Sequence, residues 1–145
     1  MNLPDQFKKE NFENILIYHY VEELVGDFRE YIKENYLDEE ITISDLPFLL
    51  RIRFKDNSTQ KDLVKLFRVS NGYVFKILRK FEDLGFITRK EDPNNRRRKI
   101  VKLTPKGIEK TDEILTYIIK WEKEHNMDKN ELKTLKQLLF KFLKS

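Results

Sequence analysis

The sequence predicts a mainly α-helical fold with one small β-hairpin, and three observations carry that prediction. Through most of the chain, apolar residues recur at steps of three and four, which places them on one face of a helix. Residues 86–103 read instead as two short strands around the turn residues Asp92-Pro93-Asn94-Asn95. The 145 residues show no repeat, low-complexity segment or flexible linker, so we expect a single domain, 1–145.

Composition narrows the function classes. Without cysteine, the chain has no disulfide, thiolate metal site or cysteine nucleophile. Its four glycines supply no phosphate-cradling loop and no Ser/His/Asp arrangement can be assembled, so we expect neither an enzyme nor a cofactor. The first residues lack the apolar core of a signal peptide and no stretch approaches a membrane span. These features predict a soluble, cytoplasmic protein with no membrane partner.

The first half of the chain begins with a long helix, which the apolar spacing predicts from Phe12 to about Tyr36. Residues 1–40 hold four basic against eleven acidic residues, which is typical of a solvated outer face and unsuited to nucleic acid. A short second helix, ending near Phe54, follows two helix-start residues, Thr42 and Ser44. Asp56-Asn57 then forms a predicted turn.

The third and fourth predicted helices are joined by a tight turn at Arg68-Val69. Thr59 and Asp62 form a capping box that opens the third helix, and Ser70 caps the fourth. The fourth helix is apolar on its back, while its front presents Gly72, Phe75, Lys76, Arg79 and Asp83. A helix anchored by its back and basic on its front suits the DNA major groove, although an ordinary amphipathic surface helix shows the same pattern.

Strands are predicted at 86–90 and 98–103, after Gly85 ends the fourth helix. Four consecutive cations, Arg96 to Lys99, lie at the tip and base of this hairpin, which is tolerable only in solvent or against an anion. Residues 57–104 hold thirteen basic against five acidic residues, in a chain whose net charge is +4. Such a basic block predicts a polyanionic partner, with double-stranded DNA the leading candidate.

The last two predicted helices begin at Thr104-Pro105, an N-cap followed by proline, and at Asp128. A break at His125-Asn126 separates them. Together with the first helix, they carry more apolar surface than one small lobe can cover, which favours an interface with another chain.

An ordered set of motifs identifies a family resemblance. The segment D-P-N-N-R-R-R-K-I-V-K-L-T-P-K-G, Asp92 to Gly107, is similar to the wing of the multiple-antibiotic-resistance regulator (MarR) family. Upstream, T-Q-K-D-L from Thr59, V-S at Val69-Ser70 and E-D-L-G-F-I from Glu82 resemble the family's helix-turn-helix. The resemblance implies a winged helix-turn-helix lobe at about 41–104 between dimerisation helices at about 10–37 and 105–145.

The resemblance further implies a homodimeric, sequence-specific repressor that reads a pseudo-palindromic operator and is released by a small aromatic or phenolic effector. Two departures are visible. Asn95 replaces an aspartate that in the family pairs with the arginine matched by Arg97, which predicts a weaker brace inside the wing. Arg68 replaces a common glycine, at a cost on the order of 1 kcal/mol if its backbone is left-handed.

Roles follow from helix and wing geometry. We expect Lys76 and Arg79 in the major groove beside base-contact candidates Asn71 and Phe75, with close backbone approach at Gly72. The predicted minor-groove residue is Arg97. The remaining predicted contacts are to phosphate and come from the helix N-termini, the turn and the wing: Gln60, Lys61, Arg68, Ser70, Arg96 and Arg98.

Six side chains are candidates for an effector pocket: Tyr18, His19, Tyr20, Phe48, Arg51 and Tyr117. The alternative, plain core and interface packing, fits an aromatic stripe at helical spacing equally well. His19 has Glu22 and Glu23 one turn away, but neither histidine belongs to a ligand cluster, so no metal site is expected. Two other functions remain open: a winged helix used as a protein-interaction module of the transcription machinery, and a nonspecific architectural DNA-binding protein.

Overall fold

The computed structural model describes residues 3–36, 38–55 and 57–145, and the predicted turn residue Asp56 lies outside them. Within the described residues, no helix is both long and apolar enough to cross a bilayer. A 3-10 turn, Lys9–Asn14, precedes six helices and three strands, which confirms the mainly helical fold class. These elements are α1 Ile17–Asn35, α2 Leu46–Phe54, β1 Ser58–Thr59, α3 Gln60–Phe67, α4 Asn71–Asp83, β2 Ile87–Asp92, β3 Asn95–Leu103, α5 Pro105–Lys123 and α6 Lys129–Lys144.

The first helix begins later than its apolar spacing predicts. Phe12 lies in the 3-10 turn, and the extended backbone of Ile15 and Leu16 separates that turn from α1. The Tyr20 hydroxyl on α1 donates a hydrogen bond of 2.8 Å to the carbonyl of Phe12, which folds the turn back onto the helix. The prediction of one helix from Phe12 is therefore wrong, because Ile15 is drawn into a buried position in an extended conformation.

The start of α2 also differs from the prediction. Neither Thr42 nor Ser44 caps it; Asp45 occupies the residue before the helix, and its side chain accepts a 2.9 Å hydrogen bond from the Thr42 backbone N–H. The same buried carboxylate contacts the Lys80 ammonium group of α4 at 2.6 Å. Asp45 thus ties the start of α2 to α4.

Four predicted helix starts are confirmed, since each rests on hydrogen bonds within three residues along the chain. Thr59 and Asp62 form the predicted capping box of α3, and the Ser70 hydroxyl accepts from the Tyr73 N–H. Thr104 accepts from the Gly107 N–H at the start of α5. Asp128 and Glu131 form a second capping box, at α6.

The hairpin belongs to a three-stranded antiparallel sheet of order β1-β3-β2. Its two long strands extend further toward the tip than predicted, to Asp92 and from Asn95. The additional strand β1 comprises only Ser58 and Thr59, which pair with Val101 and Ile100. We refer to the β2–β3 hairpin as the wing.

The hydrophobic core includes residues of the winged-helix segment and of the later helix α5. Its fully buried residues include Leu49 of α2, Leu78 and Phe81 of α4, Phe86 before β2 and Ile114 of α5. At Gly107 a Cβ atom would lie 2.1 Å from the Phe86 carbonyl oxygen, so α5 crosses the start of β2 where only glycine fits.

A buried ion pair links α5 to the segment between α1 and α2. The carboxylate of Asp38 contacts the ammonium group of Lys110 and accepts a 2.7 Å hydrogen bond from the Tyr36 hydroxyl. It also accepts from the backbone N–H groups of Glu40 and Ile41. Burial alone would raise the pKa of Asp38, but these hydrogen bonds outweigh it and lower the pKa to about 2. The pair therefore stays charged at neutral pH.

Candidate nucleic-acid interface

The front of α4 is exposed, as predicted. Gly72, Phe75, Lys76 and Arg79 all face solvent, whereas Val74, Ile77, Leu78 and Phe81 on the back are buried. The Arg79 guanidinium lies 3.5 Å from the Asp83 carboxylate one turn on. Both groups are well exposed, so this pair is weak and leaves Arg79 available to another anion.

The N-termini of α3 and α4 are fixed against each other. The side-chain amide of Gln60 donates a 2.7 Å hydrogen bond to the side-chain oxygen of Asn71. Between the helices, Arg68 has a left-handed backbone, with φ 53° and ψ 44°, and its side chain is exposed. The left-handed conformation is therefore confirmed for Arg68; for a residue other than glycine this conformation costs on the order of 1 kcal/mol.

An open cleft of about 690 Å³ separates these helix starts from the wing. Its rim is dominated by cationic and amide side chains, so it offers hydrogen-bond donors to an anionic ligand. The lining residues are Thr59, Gln60, Lys61, Asp62, Lys65, Asn71, Asn95, Arg97, Arg98 and Lys99. Sequence reasoning assigned no DNA contact to Lys65, whose position beside the cleft depends on how the wing folds back toward α3.

Among the described residues, Arg98 is the wing-tip arginine that contacts carboxylates. The Arg98 guanidinium lies 3.9 Å from the carboxylates of both Asp62 and Asp92. Asn95 accepts a 3.2 Å hydrogen bond from the backbone N–H of Arg97. The side chains of Arg96 and Arg97 are exposed, with Arg97 opening onto the cleft.

Two cations of the basic segment form hydrogen-bonded ion pairs with carboxylates. Lys80 of α4 contacts the buried carboxylate of Asp45 at 2.6 Å, which holds its ammonium group away from the exposed front. Arg89 of β2 forms two hydrogen bonds with Glu82 of α4, at 2.9 and 3.0 Å. The bonds from Arg89 lower the pKa of Glu82. The other exposed cations of the basic segment lie on α3 and the turn after it, on the front of α4 and on the wing.

The six candidate effector residues occupy different surroundings. Phe48 is buried in the core, with its ring centroid 4.3 Å from that of Phe67. Tyr117 packs against Tyr36 at 5.0 Å, and Tyr20 against Phe7 at 5.4 Å. The other three lie on α1 and α2: Tyr18 and His19 make an edge contact, and Arg51 is exposed. Phe48 thus has the packing role that was weighed against the ligand role.

Comparison with known proteins decides the family. The MarR family model matches residues 41–99, the segment from the residue before Thr42 to the wing. The multiple antibiotic resistance protein MarR of Salmonella typhimurium is 30% identical over 124 residues, covering 83% of this chain and 86% of that protein. The chain belongs to the MarR family of transcriptional regulators. Its winged-helix fold is the family's DNA-binding fold.

Solved structures agree with this assignment to the MarR family. A crystal structure of MarR superposes with a TM-score of 0.78 at 27% identity, over 90% of both chains. The PcaV transcriptional regulator from Streptomyces coelicolor, solved in complex with its natural ligand, superposes with a TM-score of 0.67 at 14% identity. The match covers 100% of this MarR-family chain and 99% of PcaV, so the shared fold includes the terminal helices.

Proposed function

We propose that the protein is a homodimeric repressor, one domain per chain, that acts in the cytoplasm on a pseudo-palindromic operator in double-stranded DNA. One observation carries the proposal: exposed cations of α3 and the wing line one cleft, and this cleft adjoins the start of α4, whose exposed front carries Lys76 and Arg79. A surface of that charge and shape is suited to a duplex, in which phosphates flank the groove that admits a helix.

The front of α4 enters the major groove in this proposal. Lys76 and Arg79 reach base edges or the flanking phosphates. The side-chain oxygen of Asn71 accepts from Gln60, and its N–H₂ group has no partner among the described residues, so it can donate to a base. The exposed Arg97 enters the minor groove, where a narrow groove deepens the negative potential. Phosphate contacts come from the rest of the set: Gln60, Lys61, Arg68, Ser70, Arg96 and Arg98.

Exposed apolar side chains on the terminal helices support the homodimer. Leu138 is 59% exposed and Phe142 57% exposed, on a helix with no buried residue at all among its sixteen. The α1 helix adds Val21, Leu24 and Val25, which are also exposed. Apolar surface of this extent is stable in water only when another chain covers it. A two-fold dimer would then present two α4 helices about one DNA turn apart.

An effector that releases the operator is part of the proposal by analogy with PcaV, which was solved with its natural ligand. In this chain a small aromatic or phenolic compound would bind between the terminal helices and the winged-helix lobe. The candidates that remain on α1, α2 and α5 outside the buried core are Tyr18, His19, Tyr20, Arg51 and Tyr117.

Replacing Gly72 with alanine is expected to leave the fold intact and weaken DNA binding. Nothing lies within 4 Å of a Cβ atom built at Gly72, and alanine favours a helix over glycine by up to about 1 kcal/mol. Thermal unfolding should show equal or raised stability, while titration of a labelled duplex should show lower affinity because the added methyl keeps the α4 backbone from the DNA. An unchanged duplex affinity of Gly72→Ala would show that Gly72 does not lie in the DNA interface.

Replacing Arg97 with alanine is expected to reduce duplex affinity by roughly 10-fold or more and leave the dimer intact, because one groove contact is lost. Fluorescence anisotropy with a labelled duplex measures the affinity, and light scattering measures the dimer. The matched control is Lys123→Ala, which removes an exposed cation from the end of α5, outside the cleft. Equal affinity of the folded Arg97→Ala protein and the control would contradict the role of the wing.

A further inference from the structure

An arginine beneath the front of α4 contacts the aromatic side chain that the front displays. The Arg89 guanidinium carbon of β2 lies 5.4 Å from the centroid of the Phe75 ring. Phe75 is 47% exposed, in the same row of α4 as Arg79. A cation over an aromatic face is attracted electrostatically by the electrons of the ring. The contact therefore restrains a ring that would otherwise be free to change rotamer on the surface.

Glu82 in turn restrains Arg89. Its two carboxylate oxygens accept hydrogen bonds from Arg89 Nε at 3.0 Å and Nη2 at 2.9 Å, the two-point geometry that fixes a guanidinium in its plane. The Arg89 side chain is only 14% exposed. Because Arg89 is held in this way beneath the surface, it is poorly placed to bind a phosphate itself, unlike the wing-tip arginines.

The three side chains connect α4 to the base of the wing. Phe75 and Glu82 are seven residues apart, two turns along one face of α4, and Arg89 is the third residue of β2. Along this face of α4, Glu82 and its partner Arg89 lie near the C-terminus of the helix, and Phe75 lies two turns closer to its N-terminus. The position of the ring over the DNA-facing surface thus depends on a contact from another element, and α4 alone does not fix it.

We propose that Phe75 recognises a thymine methyl group in the operator, and that Arg89 and Glu82 are positioning residues that hold the ring for this contact. The inference rests on the proposed function. In the major groove, thymine is distinguished from the other bases by its C5-methyl group, and an apolar side chain is the appropriate partner for it. The assignment gives Arg89 a role in base preference, although it is a cation of the basic segment that does not touch DNA.

The test replaces each thymine of the preferred duplex with deoxyuridine, one at a time, which removes only the methyl group. At one thymine position in each half-site, this replacement should lower the affinity of wild-type protein about fourfold, which is the effect expected from the loss of one buried methyl group. Phe75→Ala should bind thymine and deoxyuridine duplexes equally at that position. Arg89→Lys keeps the charge and loses the two-point contact, and should bring the ratio close to one.

Two further variants separate positioning from folding and from charge. Glu82→Gln loses the ion pair but keeps a side chain of the same shape, so it should also lower the thymine preference while circular dichroism reports a folded protein. Lys90→Met removes the neighbouring exposed cation of β2 and should lower affinity for all duplexes equally, with the thymine-to-deoxyuridine ratio unchanged.

The outcomes distinguish the inference from the proposed function. If wild-type protein binds its preferred duplex but shows no deoxyuridine effect at any position, the methyl contact is overturned and operator binding stands. A full fourfold ratio in both folded Arg89→Lys and Glu82→Gln would overturn the positioning role. Failure of wild-type protein to prefer any duplex would overturn the proposed function and this inference together.

Discussion

Replacing Leu138 with glutamate is expected to dissociate the proposed homodimer and abolish its proposed operator binding. Leu138 lies on the exposed apolar stripe of α6 with Leu135, Leu139 and Phe142. In a two-fold dimer each such replacement buries two carboxylates without partners, and each unpaired polar group costs on the order of 1–3 kcal/mol or more. The dimer dissociation constant should rise by roughly 100-fold or more. Analytical ultracentrifugation over a concentration series measures it directly.

The matched control is Lys133→Glu, which introduces the same charge on the same helix but outside the apolar stripe. It should remain dimeric over the concentrations at which Leu138→Glu dissociates. Operator affinity should fall with the loss of the dimer, because a monomer contacts one half-site only. A dimeric Leu138→Glu protein with unchanged DNA affinity would place the interface elsewhere on the chain.

Replacing Asp38 with asparagine is expected to destabilise the fold by about 3 kcal/mol, because it leaves the ammonium group of Lys110 buried without its partner. The side chain of Lys110 is 13% exposed, and its remaining carboxylate neighbour is Glu113 at 3.8 Å. Urea denaturation followed by circular dichroism gives the free energy of unfolding. The double variant Asp38→Asn/Lys110→Met, which leaves no unpaired charge, should recover a large part of the loss. Equal stability of the single and double variants would show that the pair is not coupled.

The same carboxylate predicts a dependence of stability on pH. The folded pKa of Asp38 is about 2 and its ordinary value is 3.8, so the ionised form is favoured in the folded protein. The stabilisation is complete above pH 4 or so, and is lost as the pH falls from there toward 2. Its size is on the order of 2 kcal/mol. In Asp38→Asn the free energy of unfolding should therefore fall less between pH 4 and 2 than in the wild-type protein. An unchanged fall in this pH range would show that other carboxylates cause it.

Features that depend on near neighbours in the chain could be predicted from the sequence. The capping box of Thr59 and Asp62 needs two residues three apart, and both are visible in the pattern. The amphipathic character of α4 follows from helical spacing alone, which is why its buried back and exposed front are as predicted. The family resemblance adds the order of the lobes, which spacing does not supply.

Features that depend on residues far apart in the sequence could not be predicted from it. The two-residue strand β1 has no alternating pattern of its own and exists because β3 pairs with it, some forty residues on. Lys80 lies near the basic front of α4, but its ammonium group contacts Asp45, thirty-five residues away. The Arg98 guanidinium likewise lies 3.9 Å from the Asp62 carboxylate, on the other side of the cleft. In all three cases the contact is long-range and no local rule predicts it; for Lys80 and Arg98, that contact also determines how far the cation is available to a ligand.

The most direct test of the proposed function is selection of bound duplexes from a random pool, followed by titration of the preferred duplex at several salt concentrations. We expect an inverted repeat with half-sites centred about 10 base pairs apart. Affinity should fall steeply with salt, with a slope that corresponds to roughly 6–10 phosphate contacts per dimer. Salt-sensitive binding without any enriched sequence would contradict sequence-specific operator binding and favour a nonspecific architectural role. Absence of duplex binding by the purified dimer would favour a protein-interaction module.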